Sequence, residues 1–318
     1  MKTPKTLKTE SLIQHIRYII RTGNVESEAP ISTMIVAGPA HGKSVNVAKV
    51  VPEDIAPGAT NVPVNIKSVK VIFINDCTSW GMQNIIKNYW MQNRSFPSHI
   101  IIPDMAKIGA RNRASRKELM AFFMSMMSEG LKKIKTKEIE TDFGEPAKIG
   151  LIFCTTPEEI IDGRGFMRRS GFLSRLLPFT YSYKDSDISL IKEAIWNDAT
   201  LEFTEEVMDP VNDARPEIDK SLIPILMNDA DMIFDRVRTF TNMGVRRYKG
   251  DDGEMHMEFV RRSDRKTDDP GLRTDQAVKC YVRAMAIDMG KDCVDDEVYS
   301  IFRSKIMPYL GFDYAPLV

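Results

Sequence analysis

The feature that most constrains this chain is a set of five short apolar runs, rich in β-branched residues and separated by helix-length connections. They are 32–37 (STMIVA), 69–75 (VKVIFIN), 98–104 (SHIIIPD), 148–155 (KIGLIFCT) and 177–183 (LPFTYSY). Strict apolar–polar alternation marks a strand with one wet face, whereas runs apolar throughout mark strands covered on both faces. Strands of that kind with helices between them predict an α/β fold built on a five-stranded parallel sheet flanked by helices. Ahead of the first run, Leu12, Ile13, Ile16, Ile19 and Ile20 recur at helical spacing, with Thr9 or Ser11 as the N-cap.

Past Tyr183 the texture changes. Segments 185–198, 219–243, 274–290 and 295–310 have helical patterns, and 245–262 resembles a hairpin turning at Asp251-Asp252-Gly253. This predicts a core over residues 1–184 and a mostly helical domain over 185–318, with an inserted hairpin near 245–262. Charge follows the same division. The chain of 318 residues carries 44 basic and 44 acidic side chains, a net of zero. Residues 1–184 hold 26 basic against 16 acidic, and residues 185–318 hold 18 against 28. A neutral total argues against a strongly basic nucleic-acid coat, but the split leaves a basic front half. No apolar run reaches the roughly 18 residues of a membrane span, and the start lacks an apolar leader core. Cys77, Cys154, Cys280 and Cys293 form no CxxC pair. Reduced thiols in a cytoplasmic protein are the expectation. Four scattered histidines argue against a zinc site.

The sharpest motif follows the first apolar run: Ala37-Gly38-Pro39-Ala40-His41-Gly42-Lys43-Ser44, leading into VNVAKVV. A glycine-rich turn between strand and helix lets backbone N–H groups curl around phosphates, and the helix N-terminus adds its dipole. Lys43 is placed to neutralise β/γ oxygens, and the Ser44 hydroxyl to ligate Mg²⁺. The spacing departs from the usual motif, because Gly38 and Gly42 enclose three residues instead of four. Aligned on Gly42-Lys43-Ser44, the first glycine position holds Ala37.

AGPAHGKS resembles the GPPGTGKT loop of the AAA+ ATPases, and the five runs fall in that family's strand order over roughly residues 8–310. The resemblance implies an ASCE-type P-loop sheet followed by a helical lid, and an ATP·Mg²⁺ hydrolase that forms a homo-oligomeric ring, a hexamer in that family. The third run ends IIIPD, similar to a Walker B strand, which implies Asp104 as the metal carboxylate. The family's next residue is a water-activating glutamate, and this chain has Met105. Asp76, ending the second run, is either a second metal or water-activating carboxylate or the N-cap of the helix after it. Thr155 and Thr156 end the fourth run where sensor 1 belongs. Arg175, in GFLSRLLPF, is similar to an arginine finger acting on a neighbouring subunit. Arg164, Arg168 and Arg169 lie nearby in sequence. Arg273 matches sensor 2, with Arg283 as the weaker match.

Residues 107–137 are rich in lysine and arginine. LKKIKTKEIETDFGEPAK resembles the pre-sensor hairpin of the helicase and remodeller clade, with a Phe-Gly turn. In that clade Lys133, Lys135 and Lys137 would grip nucleic-acid phosphates in a central pore. The alternative is a solvated charged face. The Met-rich run 122–131 and the pair Tyr89-Trp90 are expected to pack in the core. The implied function is ATP-driven remodelling or translocation of nucleic acid, as in DNA replication helicases or their loaders, with a protein partner for targeting. Two alternatives stand beside it: a protein-remodelling AAA+ chaperone, and a nucleotide-binding scaffold with little hydrolysis, which Met105 favours.

Overall fold

A computed structural model of the chain describes residues 6–7, 10–39, 41–50, 64–65, 70–135, 140–183, 185–197, 202–203, 208, 211–249, 255–261 and 271–312. The apolar runs form strands β1 (Ser32–Val36), β2 (Lys70–Phe73), β3 (His99–Ile102), β4 (Gly150–Thr155) and β5 (Leu176–Thr180). They lie side by side in the order β2-β3-β4-β1-β5, all parallel. The short strand Val64–Asn65 pairs antiparallel with β2 at the outer edge. Along each strand alternate residues enter different cores. Ile35, Ile101, Ile152 and Phe179 join one buried cluster, while Met34, Ile100, Leu151 and Phe153 join another. A sheet covered on both faces explains why the runs are apolar throughout.

The helices are α1 (Glu10–Arg21), α2 (Lys43–Val50), α3 (Ser79–Asn93), α4 (Arg113–Ser128), α5 (Pro157–Arg169), α6 (Asp185–Trp196), α7 (Ile223–Asn242), α8 (Leu272–Asp288) and α9 (Asp296–Ile301). The five apolar residues of α1 are all buried. They share the first core with Leu226, Ile233, Val278 and Tyr281 of α7 and α8, so elements on both sides of the charge switch pack as one mass. The other core takes Met82, Ile86 and Tyr89 from α3 and Phe123 and Met126 from α4, so the tyrosine and the Met-rich run do pack. Cys77, Cys154 and Cys280 are buried free thiols, and Cys293 is an exposed one. Among the described residues no helix is long and apolar enough to cross a membrane.

Two hairpins extend from this body. Leu131–Lys135 pairs antiparallel with Glu140–Ala147, and Met243–Lys249 with Met255–Arg261. The Phe143-Gly144 pair does not close the first hairpin; it forms a local kink inside its second strand, where the register shifts opposite Leu131–Lys133. Gly144 has φ +82° and its N–H donates to Asp142 Oδ1 at 2.9 Å, yet both lie within the second strand of the first hairpin. Packing decides this: the Phe143 ring sits edge-on against Trp90 and Phe96, with centroids at 5.3 and 4.9 Å.

Two polar links tie α1 to the rest. Thr33 Oγ1 donates to the Leu177 carbonyl at 2.6 Å, so it accepts from His15 Nε2 at 2.9 Å. That leaves His15 Nδ1 to accept from the Tyr281 hydroxyl at 3.0 Å. One neutral imidazole thereby joins α1, β1 and α8. Close by, Arg17 and the fully buried Arg21 both pair with Asp288 at the end of α8, at 2.7 and 2.8 Å.

Asp288→Ala leaves the Arg21 charge buried without its carboxylate. It should cost about 3–5 kcal/mol in urea unfolding, and a loss under about 1 kcal/mol would mean that the pair is not structural. Burial pushes His15 down to about 3 and His99 down to about 4, from 6.5. Below about pH 6.5 the unfolded chain takes up protons that the folded chain refuses. Unfolding free energy should therefore be insensitive to these groups above pH 6.5. It should fall by about 1.4 kcal/mol per pH unit for each imidazole as pH drops from 6.5 toward 5. His15→Gln should remove one share of that slope.

Candidate active site

Parallel register sets the site. Val36 pairs with Thr155, and Ile102 pairs with Phe153 two residues before Thr155. Asp104, two residues past Ile102, therefore comes level with Thr155, and the Met105 N–H donates to the Cys154 carbonyl at 3.0 Å. On the other side the Ala37 N–H reaches the Thr155 carbonyl at 3.4 Å. The loop, Thr155 and Asp104 thus leave three adjacent strands at one level, with neighbours about 4.8 Å apart.

The loop is compact. Gly42 has φ +67°, a conformation glycine adopts without strain, and α2 begins at the next residue, Lys43. The Lys43 ammonium donates to the carbonyls of Ala37 and Gly38 at 2.7 and 2.9 Å, so the cation lies inside the turn of the loop. Burial lowers its pKa, against the opposing pull of Cys154, Glu159, Glu158 and Asp104. The Ser44 hydroxyl donates to the Pro103 carbonyl at 3.1 Å, one residue from Asp104. Ala40 lies outside the described residues. Pro39 is exposed, and the Gly38 and His41 backbones close a turn at 3.4 Å.

Two tyrosines not picked out from sequence wall the loop on its other flank. The Tyr181 N–H donates to the Val36 carbonyl at 3.0 Å, and its hydroxyl donates to the His41 carbonyl. The Tyr183 ring stacks on His41, centroids 5.1 Å apart and planes within 9°. A Cβ at Gly42 would stand 2.7 Å from the Tyr183 hydroxyl.

The carboxylates divide as follows. Asp104 Oδ1 accepts from the Ala106 N–H at 3.0 Å, just ahead of a single helical turn, Ala106–Gly109, whose N-cap position is Met105. Met105 is 5% exposed and belongs to the core. Asp76 is exposed and pairs with Arg111. It does not cap α3, because the Thr78 side chain fills that role, accepting from Gly81 N at 3.0 Å. Cap geometry needs the residue next to the first helical one, and Asp76 stands two residues too early. A further carboxylate appears at the site. Glu159 Oε2 accepts from Thr155 Oγ1 at 2.6 Å and from the Thr156 N–H at 3.3 Å. The Thr156 hydroxyl in turn accepts from the Glu159 N–H at 3.5 Å. This is a reciprocal capping box, and its signature, Thr156-Pro157-Glu158-Glu159, is legible in the sequence.

The arginines gather elsewhere. Arg175 donates to Ser128 Oγ at 2.6 Å and to the Gly171 carbonyl at 2.7 Å. Arg273, first turn of α8, donates to Ser174 Oγ at 3.2 Å. Burial and then the Arg273 charge lower the Arg175 pKa. Both line a cavity of about 560 Å³ with Ile31, Ser32, Lys148 and Leu176. Those residues mark the starts of β1, β4 and β5, the opposite edge of the sheet from the loop. Arg273 is therefore not brought over its own chain's loop. Arg283 is buried, bound to the Pro216 carbonyl and Glu28, and so is structural. In the first hairpin Lys133 pairs with Glu140 at 2.7 Å. Lys137 lies outside the described residues, as does the Lys135 side chain.

No family model matches this chain, and no curated protein matches it. Among solved structures it is similar to one titled "SCCmec type IV Cch - active helicase", with a TM-score of 0.37 and 10% identity. The match covers 95% of this chain and 50% of that one, so this chain spans about half the length of that structure.

Gly42→Ala should destabilise the protein by about 1–3 kcal/mol through the left-handed backbone and the Tyr183 contact together. Adding Tyr183→Phe should recover part of that loss in urea unfolding. Full additivity of the two changes would show that ring and loop are not in contact.

Proposed function

We propose that the chain is a P-loop ATPase, with ATP as substrate at the loop Ala37–Ser44 and Mg²⁺ beside it. One observation carries this: a glycine turn with a lysine curled inside it opens a helix level with a hydroxyl and a carboxylate on the next two strands. The residues fit a magnesium nucleotide. Mg²⁺ prefers hard oxygen donors and keeps several waters, so one carboxylate, one hydroxyl and the phosphates suffice. Among the described residues no cluster of three or more acidic, His or Cys side chains offers a protein-only metal cage. Ser44 and Asp104 would hold the ion, which when bound neutralises charge on the phosphate oxygens.

Each residue then has a definite task. The loop N–H groups and the start of α2 face the phosphates. The Lys43 ammonium exchanges its two loop carbonyls for phosphate oxygens, and this exchange favours binding because carbonyls are the weaker partners. The Thr155 hydroxyl stands level with the loop to position the terminal phosphate. Arg175 and Arg273, on the far edge of the sheet, would serve a nucleotide held by a neighbouring copy in a ring. The cationic run after Asp104 keeps Lys107, Arg113 and Lys117 exposed. It supports nucleic acid as the remodelled partner. Lys133, matched to Glu140, contributes less to that surface than its sequence setting implies. A second reading, nucleotide binding with little turnover, has the burial of Met105 in its favour.

Lys43→Ala should weaken ATP binding at least about tenfold, since a charge-assisted contact is worth about 1.5–3 kcal/mol. Asp104→Ala should remove the Mg²⁺ dependence of binding. Mixing Lys43→Ala protein with Arg175→Ala protein should restore turnover that neither shows alone, because a mixed ring pairs an intact loop with an intact arginine. ATP binding unchanged by Lys43→Ala would sink the reading. Binding without turnover, with or without single-stranded DNA, would leave the scaffold.

A further inference from the structure

We infer that Glu159, at the start of α5, is the base that activates the attacking water, in place of the carboxylate that position 105 lacks. This rests on the ATPase reading above. Met105 cannot do the work, because its side chain is largely buried and its thioether has no proton to exchange. Asp104 is committed at Oδ1 to the Ala106 N–H. Asp76 is engaged by Arg111 at the end of β2, with the β3 strand end between it and Thr155. Glu159 is the carboxylate in contact with Thr155, the residue that comes level with both the loop and Asp104. Its charge also acts on the Lys43 ammonium, ahead of that of Asp104.

Access and geometry fit the role. Thr155 and Glu159 line a cavity of about 320 Å³ with Met105, Ala106 and Arg116, open beside the Asp104 turn. The carboxylate is anchored through Oε2 alone, by the Thr155 hydroxyl and the Thr156 N–H. Among the described residues no hydrogen bond engages Oε1, which leaves it to accept from a water. The cap fixes the side chain's direction, as a base held within hydrogen-bond reach must be. In the step itself, the water oxygen forms a bond to the γ-phosphorus while Glu159 takes one of its protons. The bond from the γ-phosphorus to the bridging oxygen breaks, and its electron pair leaves with ADP. Around the site, Glu159 on α5 acts on the Lys43 ammonium of α2 together with Glu158, Asp104 and the Cys154 thiol, and Arg116 on α4 shares the cavity that Glu159 lines.

Glu159→Gln separates base from cap, because a capping box accepts Gln as well as Glu. The full-length variant should keep the wild-type melting temperature and ATP affinity, and lose about 10²–10⁴-fold in turnover. The acid limb of the rate–pH profile should vanish with it. Glu159→Asp should keep a reduced rate and retain the acid limb. Turnover of Glu159→Gln within about threefold of wild type, or an unchanged acid limb, overturns the assignment and leaves the ATPase intact. Wild-type protein that binds ATP without any turnover overturns it too. If Lys43→Ala leaves ATP binding untouched, the underlying reading fails instead, so the two failures are distinguishable.

Discussion

The structure depends on the parallel register of β1 with its two neighbours. Because all five strands run the same way, their carboxyl ends share one edge and their starts share the other. The Val36–Thr155 pairing then sets the height of everything attached: the loop on one side, Asp104 on the other, and Tyr181 beyond β1. A slip by one residue would turn every side chain of β1 to the other face and expose Ile35 or Met34 to the wrong core. The site's geometry is therefore specified by the packing of aliphatic side chains some distance from it.

The second organising feature is the clamp of α1 against α8. His15 and the Arg17–Arg21–Asp288 cluster are polar groups in an apolar setting, and each is satisfied in a single arrangement. Desolvation makes any other arrangement costly. The same C-terminal helices that complete this core place Arg273 beside Arg175. The clamp thus connects the folding core to the arginine edge, and the sheet connects the core to the loop edge.

Carboxylate placement shows why motif order alone misleads. Position 105 follows Asp104 directly, but the chain turns there and buries the side chain, so a glutamate would face the core unless the turn changed. Glu159 lies far along the sequence and reaches the strand tips because α5 starts where β4 ends. Its capping box is visible in the sequence as a local stop-and-start signal, and only the strand register makes that same carboxylate a neighbour of the loop.

Sequence alone determined the sheet class, the five strands, the burial of the α1 stripe, the loop and its lysine, and the second hairpin. Each rests on periodicity or on local turn chemistry, which neighbouring residues impose on one another. Tertiary structure decided the rest: that Thr78 caps α3 while Asp76 pairs with Arg111, that Phe143 packs instead of turning, and that Tyr181 and Tyr183 flank the loop. It also decided that Arg175 and Arg273 meet at the edge away from the loop. These depend on which strands lie side by side, a long-range fact set by collective burial, and no window of sequence contains it.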